Sequence, residues 1–114
     1  MATRYYITLP DGAKARGSDP SLAFHAQSAA GFAAELQAAL TGDALFEQWR
    51  AMQPDPDEID ASLGAIDPEA IVSGDQDHLR VKLVVVSRIS GTVLKHRLRL
   101  LAGTGWELRD VTAA

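Results

Sequence analysis

The clearest structural signal in the chain lies in residues 79–111, which read LRVKLVVVSRISGTVLKHRLRLLAGTGWELRDV. Over residues 79–89, positions 79, 81, 83 and 85 are all apolar, whereas the alternate positions from 80 to 88 carry three bases and two valines. This alternation is typical of a strand with one buried face. Ser90 and Gly91 fit a two-residue hairpin turn, and a second turn is predicted within residues 102–105. This pattern predicts a C-terminal antiparallel meander of three strands.

The register of that meander predicts which side chains share a face. Pairing across both turns groups the apolar residues on one side, which supports the register, and it sets His96 opposite Asp110 on that same side. The two predicted core rows are Val81–Leu100–Trp106 and Leu83–Leu98–Leu108. The opposite side is predicted to be a basic and aliphatic face, formed by Arg80, Lys82, Val84, Val86, Arg88, Val93, Lys95, Arg97, Arg99, Arg109 and Val111.

The N-terminal half is predicted to hold one strand, a second short strand and two helices. Residues 5–9 are rich in aromatic and β-branched side chains, as in a strand, and residues 22–26 fit a second, shorter one. Ser28 is a suitable N-cap for an amphipathic helix over residues 29–40. Asp43 is expected to cap a second helix that ends before Pro54, with Leu45, Trp49 and Met52 on one stripe.

Residues 53–78 are predicted to be an acidic, partly irregular connection, in which Asp67-Pro68-Glu69 resembles the start of a short helix. The sequence thus predicts one α+β domain over residues 1–114. Its antiparallel sheet has four to five strands, formed by the C-terminal three-stranded meander plus an N-terminal strand or hairpin, and two helices pack on one face.

Charge is spread unevenly along the chain. Residues 43–77 hold ten acidic side chains and one base, whereas residues 80–109 hold seven bases and one acid. The net charge of −4 nevertheless makes nucleic acid an improbable partner. The absence of cysteine removes thiolate chemistry and fits a reducing compartment, so a cytoplasmic location is expected. We expect no signal peptide and no membrane span, because the longest apolar run is only residues 83–86.

Residues 98–111, LRLLAGTGWELRDV, resemble the final hairpin of cystatin-like NTF2-type domains. In those domains a tryptophan after a short turn begins the last strand, and a curved sheet wraps a helix to form a pocket. The resemblance covers fourteen residues, and this chain opens with a strand where those domains open with a long helix. The resemblance implies a pocket in that region and transfers no site residue.

Three functional hypotheses follow from these patterns. The first is a non-enzymatic binding or assembly domain that uses the basic and aliphatic face for a protein partner or a second copy. Its predicted contact residues are Lys82, Val84, Val86, Arg88, Lys95, Arg97, Arg99 and Arg109. The second is a small-ligand pocket or enzyme of cystatin-like NTF2-type architecture centred on His96, Asp110 and Trp106, with His96 and Asp110 as weak catalytic candidates. The third is anion or nucleic-acid binding by the basic face.

No cofactor or metal ion is expected from the sequence. The histidines His25, His78 and His96 lack the spacing of a metal-binding pair on a helix. The acidic residues from Asp55 onward do not match a calcium loop, because a glycine is missing at the sharp turn.

Overall fold

The computed structural model describes residues 2–114 and confirms the α+β class: a four-stranded antiparallel sheet with three helices. The elements are β1 (Thr3–Leu9), α1 (Ala29–Thr41), α2 (Ala44–Ala51), β2 (Ile71–Asp77), β3 (Arg80–Ser87), α3 (Gly91–Ala102) and β4 (Glu107–Ala113). The strands lie in the order β2-β3-β1-β4, and every neighbouring pair is antiparallel. Apart from α2, this is the split βαβ, or ferredoxin-like, arrangement, which hosts many unrelated functions.

One face of the sheet is buried under α1 and α3. The alternating pattern of β1 points Tyr5, Ile7 and Leu9 into the core, and β3 does the same with Val81, Leu83 and Val85. The helices supply Phe32, Leu36, Leu40, Leu94, Leu98 and Leu101. Helix α2 lies outside this layer, against α1 and a short 3₁₀ turn at Ala61–Gly64.

The predicted middle strand of the C-terminal meander is wrong, because residues 91–102 form helix α3. Ser90 belongs to an N-cap, where its hydroxyl accepts a bond from the Val93 N–H at 3.3 Å. Leu94, Leu98 and Leu101 then fall on one helical stripe facing the core. The hairpin that the resemblance to cystatin-like NTF2-type domains required therefore does not form.

Strand β2 lies inside the segment predicted to be an irregular connection, so it is not among the predicted strands. Its sequence, IVSGDQD, is acidic and contains a glycine, both unusual in strands. Gly74 is required there: a Cβ at this position would lie 2.6 Å from the carbonyl oxygen of Ala29, where α1 begins. Close packing of a helix end on β2 therefore explains a residue that weakens the local strand signal.

The predicted strand at residues 22–26 is also wrong. Leu22, Ala23 and Phe24 are buried, but their segment pairs with no strand. The backbone N–H groups of His25 and Ala26 donate to the Glu35 carboxylate instead, and the Phe24 N–H donates to the Leu101 carbonyl. Loop backbone groups are thus satisfied by α1 and α3 rather than by a sheet.

The two helices predicted in the N-terminal half are confirmed, with different detail at the second. Ser28 caps α1 as predicted, and its hydroxyl accepts from the Gly31 N–H at 3.1 Å. Asp43 precedes α2 but makes no side-chain cap bond. In α2 the buried side chain is Phe46 rather than the predicted stripe, and Met52 is 51% exposed.

Asp67 begins a tight turn instead of a helix, and its carboxylate fastens residues 67–70 to the end of β3. It accepts hydrogen bonds from the Ser87 hydroxyl at 2.9 Å, from the Arg88 N–H at 2.9 Å and from the Glu69 N–H at 3.0 Å. These bonds, led by the one from Arg88, hold the pKa of Asp67 below its usual value of 3.8.

We expect Asp67→Asn to lower the melting temperature at neutral pH, because an amide cannot accept all three bonds. A lowered folded-state pKa gives stability that is complete above pH 3.8 and is lost as the pH falls through the folded value. The difference in melting temperature between the wild type and Asp67→Asn should therefore shrink below pH 3.8. Thermal unfolding followed by circular dichroism from pH 2.5 to 7 measures it, with the exposed Asp57→Asn as control. A constant difference at all pH values would contradict the assignment.

Candidate functional site

The face of the sheet turned away from the helices is uncovered, and we call it the open face. The strand registers place its side chains in three rows: Ile71–Val86–Arg4–Thr112, Ser73–Val84–Tyr6–Asp110 and Asp75–Lys82–Thr8–Glu107. Asp77 and Arg80 form one further pair at the hairpin end. An antiparallel sheet commonly leaves one face to solvent. The composition of the open face therefore distinguishes an ordinary solvated surface from a binding surface.

An apolar stripe runs across the middle of the open face. Ile71 is 62% exposed and pairs with Val86, while Val84 pairs with Tyr6 across the two central strands. Val84, Val86 and Tyr6 are half-buried by their neighbours. Beside the stripe lies a cavity of about 500 Å³ with Tyr6, Val84 and Arg109 in its lining. The stripe is therefore a continuous aliphatic and aromatic surface with a hollow next to it.

The charges on the open face balance. Four bases (Arg4, Arg80, Lys82 and Arg109) are matched by four acids (Asp75, Asp77, Glu107 and Asp110). Two of the bases are paired: Lys82 lies 3.6 Å from Asp77, and Arg109 lies 3.3 Å from Glu107. A balanced, internally paired surface lacks the excess of positive charge that attracts polyanions.

The structure brings together only part of the predicted basic and aliphatic face. Lys82, Val84 and Val86 lie on the open face, and Arg109 lines its cavity at a bulge in β4. The other four predicted contact residues do not join them, namely Arg88 in the loop after β3 and Lys95, Arg97 and Arg99 on α3. The missed residues are Arg4, Tyr6, Ile71 and Asp75. Arg4 and Tyr6 could have been assigned to the outer face from the alternation of residues 3–9.

Arg97 is the largest departure from the prediction, because its side chain is fully buried rather than on an outer face. Its guanidinium donates to the carbonyl oxygens of Ala39 at 3.2 Å and Ala65 at 2.9 Å, and also to that of Leu63. Its charged end lies 5.4 Å from the centre of the Phe46 ring. Arg97 is therefore a structural centre that joins α3 to α1 and to the turn at residues 61–65.

The predicted pairing of His96 with Asp110 is wrong. His96 lies on α3 in the helical layer, whereas Asp110 lies on β4 opposite Tyr6, exposed on the open face. Trp106 is partly buried against the core, and its indole N–H donates to the Gly103 carbonyl at 2.9 Å. Because α3 replaces the predicted strand, these three residues do not form one pocket.

Each edge strand of the sheet has one backbone N–H that donates to a side chain. On β2, the outward N–H of Val72 donates to the Gln37 side-chain oxygen at 2.9 Å. On β4, the Val111 N–H donates to the carboxylate of Asp110 at 2.8 Å, and a register shift opposite Tyr6 and Ile7 leaves Arg109 as an extra residue. Bulges and occupied edge N–H groups disfavour pairing with another strand.

Other kinds of site have little support in residues 2–114. No group of three or more histidine, aspartate or glutamate side chains there is placed to hold a metal ion. None of the helices in that range has the length and apolar character needed to cross a bilayer. Comparison with protein families, with curated proteins and with solved structures gives no significant match.

Proposed function

We propose that this protein is a small non-enzymatic assembly domain whose open face binds a second copy of the same chain. The observation that carries the proposal is the apolar stripe of Ile71, Val86, Val84 and Tyr6 on an otherwise uncovered sheet. A second sheet packed face to face would bury this stripe, as in β-sandwiches. Apolar patches rimmed by polar residues are typical of interaction sites.

The charge pattern favours a second copy over a polyanion. A two-fold interface places the same surface on both sides, so it must be complementary to itself. The equal numbers of acidic and basic side chains around the stripe meet this condition, because each base can face an acid of the other copy. A nucleic acid would instead meet as many repulsive groups as attractive ones.

The occupied N–H group on each edge strand and the bulge in β4 favour face-to-face packing over edge-to-edge pairing. The Val72 N–H donates a hydrogen bond to the Gln37 side chain, and the Val111 N–H donates one to the Asp110 carboxylate. A second copy added at either edge would first have to displace these side chains. We also propose a cytoplasmic location, on the ground that a chain without cysteine suits a reducing compartment.

The test is the molar mass of the wild type and of Val84→Lys, measured by sedimentation over a dilution series. The wild type should form a dimer. A lysine at the centre of the stripe should weaken it about 30-fold or more, as expected for a central contact. Leu79→Lys is the matched control, because Leu79 is 68% exposed in the β2–β3 turn, outside the stripe. It should dimerise like the wild type.

Two results would overturn the proposal. One is a wild type that stays monomeric at the highest concentration. The other is a dimer that Val84→Lys and Leu79→Lys weaken equally, because that would place the contact elsewhere. Circular dichroism of Val84→Lys at monomeric concentration checks that the variant is folded, as expected for a side chain on the face turned away from the core.

A further inference from the structure

His96 lies between α3 and the aromatic side chains of α2. Its ring centre is 4.5 Å from that of Trp49 and 6.3 Å from that of Phe46, and both rings meet it edge to face. Phe46 is the buried residue of α2. The only hydrogen bond that a side chain of α2 makes to another part of the fold is a 3.3 Å contact from Gln48 to the Ser21 carbonyl, among residues 2–114. Leu45 packs against the core and Phe46 lies against Gly64. The contact of α2 with α3 is made by Phe46 and Trp49, which meet His96 and the Arg97 guanidinium.

One ring nitrogen of His96 is sealed in this cluster without a partner. Nδ1 is buried and makes no hydrogen bond within residues 2–114. In that part of the chain, no carboxylate lies within 4.0 Å of the His96 ring. Burial lowers the pKa of His96 below its usual value of 6.5, and the positive charges of Arg97 and Arg99 lower it further.

The charged groups around the cluster do not compensate a proton on His96. On α3 its charged neighbours along the chain are Lys95 and the two arginines already named, all of them bases. On α2, Glu47 and Arg50 pair with each other at 2.8 Å. Asp19, in the loop before α1, lines the same hollow as Trp49 and Arg99. Its carboxylate accepts hydrogen bonds from the backbone N–H and the hydroxyl of Ser21.

We propose that α2 is fastened to α3 by the neutral imidazole of His96, and that protonation of His96 releases α2 and exposes Phe46 and Trp49. The released form can hydrate the imidazolium, whereas the closed form holds it beside two arginines. This acid-sensitive latch is independent of the proposed assembly function. It lies in the helical layer, while the open face is on the other side of the sheet.

Linkage fixes the direction and the pH range of the effect. The closed state disfavours the protonated form, so its stability is complete above pH 6.5 and falls as the pH drops below that value. The opening constant of α2 should rise about tenfold per pH unit until the lower pKa of the closed form is reached. Below that pH no further opening from His96 is expected.

The test is amide hydrogen exchange of residues 44–51 between pH 4.5 and 7.5, corrected for the intrinsic pH dependence of exchange, together with the indole N–H resonance of Trp49. In the wild type, α2 should lose protection below pH 6.5, and the Trp49 resonance should shift in the same range. His96→Phe keeps an aromatic ring in the cluster and should abolish both changes. His25→Gln and His78→Gln replace exposed histidines and should leave both unchanged.

Identical protection of α2 in the wild type and in His96→Phe at every pH would overturn the proposal. So would a titration of the His96 imidazole that leaves the Trp49 resonance unmoved. If His96→Phe fails to fold, His96→Gln replaces it, because glutamine also carries no proton in this range. Dimerisation measured by sedimentation at pH 7.5 is the separate readout for the open face.

Discussion

Arg97→Ala is expected to lower the free energy of unfolding by about 4 kcal/mol. Truncation removes the donors for three buried or partly buried carbonyl groups, and it also leaves a cavity where the longest side chain of the core had been. An unsatisfied buried polar group costs about 1–3 kcal/mol. Burial lowers the pKa of the Arg97 guanidinium, yet arginine remains protonated in proteins, so the site holds a buried cation.

The end of α1 explains why the cation at this position is an arginine. The last carbonyl groups of a helix lack partners within the helix. In α1, Ala38 accepts from Gly42, Ala39 accepts from Arg97 and Leu40 accepts from the Asp67 N–H. A positive charge at this position is also stabilised by the negative, C-terminal end of the α1 dipole. The planar fork of arginine reaches the end of α1 and the turn at residues 61–65 together, which a lysine cannot do.

Urea unfolding followed by circular dichroism measures the prediction for Arg97. Arg99→Ala is the matched control, because it removes the same side chain from an exposed position on the same helix, and it should cost less than about 0.5 kcal/mol. Arg97→Lys should recover only part of the loss, since it keeps the charge but not the three directed donors. Equal losses for Arg97→Ala and Arg99→Ala would mean that water replaces the guanidinium.

Gly17→Ala is expected to cost about 3 kcal/mol. A Cβ at residue 17 would lie 2.1 Å from the carbonyl oxygen of Leu100, which belongs to the backbone of α3 and cannot rotate away. The loop would have to move, and overpacking of this kind costs about 1–3 kcal/mol or more. Moving the loop also breaks the 3.0 Å bond from the Gly17 N–H to the Leu101 carbonyl, which helps to satisfy the end of α3.

Gly42→Ala is the control for the prediction at Gly17. A Cβ at Gly42 would meet only the Ala38 carbonyl oxygen at 3.8 Å, an ordinary contact, so this variant should stay within about 0.5 kcal/mol of the wild type. Urea unfolding distinguishes the two. A Gly17→Ala protein as stable as Gly42→Ala would show that residues 16–18 shift without losing their contacts with α3.

Segments with one dominant periodicity were predictable from the sequence. The alternation in β1 and β3 and the helical stripe of α1 are unambiguous, and each faces the core as expected. Residues 93–100 are different, because VLKHRLRL alternates like a strand and also places Leu94 and Leu98 four residues apart. Both structures bury apolar residues there, so the local pattern could not choose between them.

The candidate site could be predicted only in part for the same reason. Lys82, Val84 and Val86 were assigned to the outer face because β3 alternates clearly. Ile71 was not assigned, because β2 is a strand through its pairing with β3 rather than through its composition. The error at α3 carried Lys95, Arg97 and Arg99 onto a face that they do not share.

The sequence by itself determined the α+β class, the antiparallel sheet and the core faces of β1, β3 and α1. Hydrophobic periodicity is a local property that each segment carries alone. Tertiary structure decided that residues 91–102 are a helix, that residues 71–77 are a strand and that Arg97 is buried. Each of these depends on groups distant in the chain: the carbonyl groups of residues 39, 63 and 65 for Arg97, and the neighbouring strand for β2. Backbone carbonyl groups are the same in every residue, so no sequence pattern marks where a buried arginine will find them.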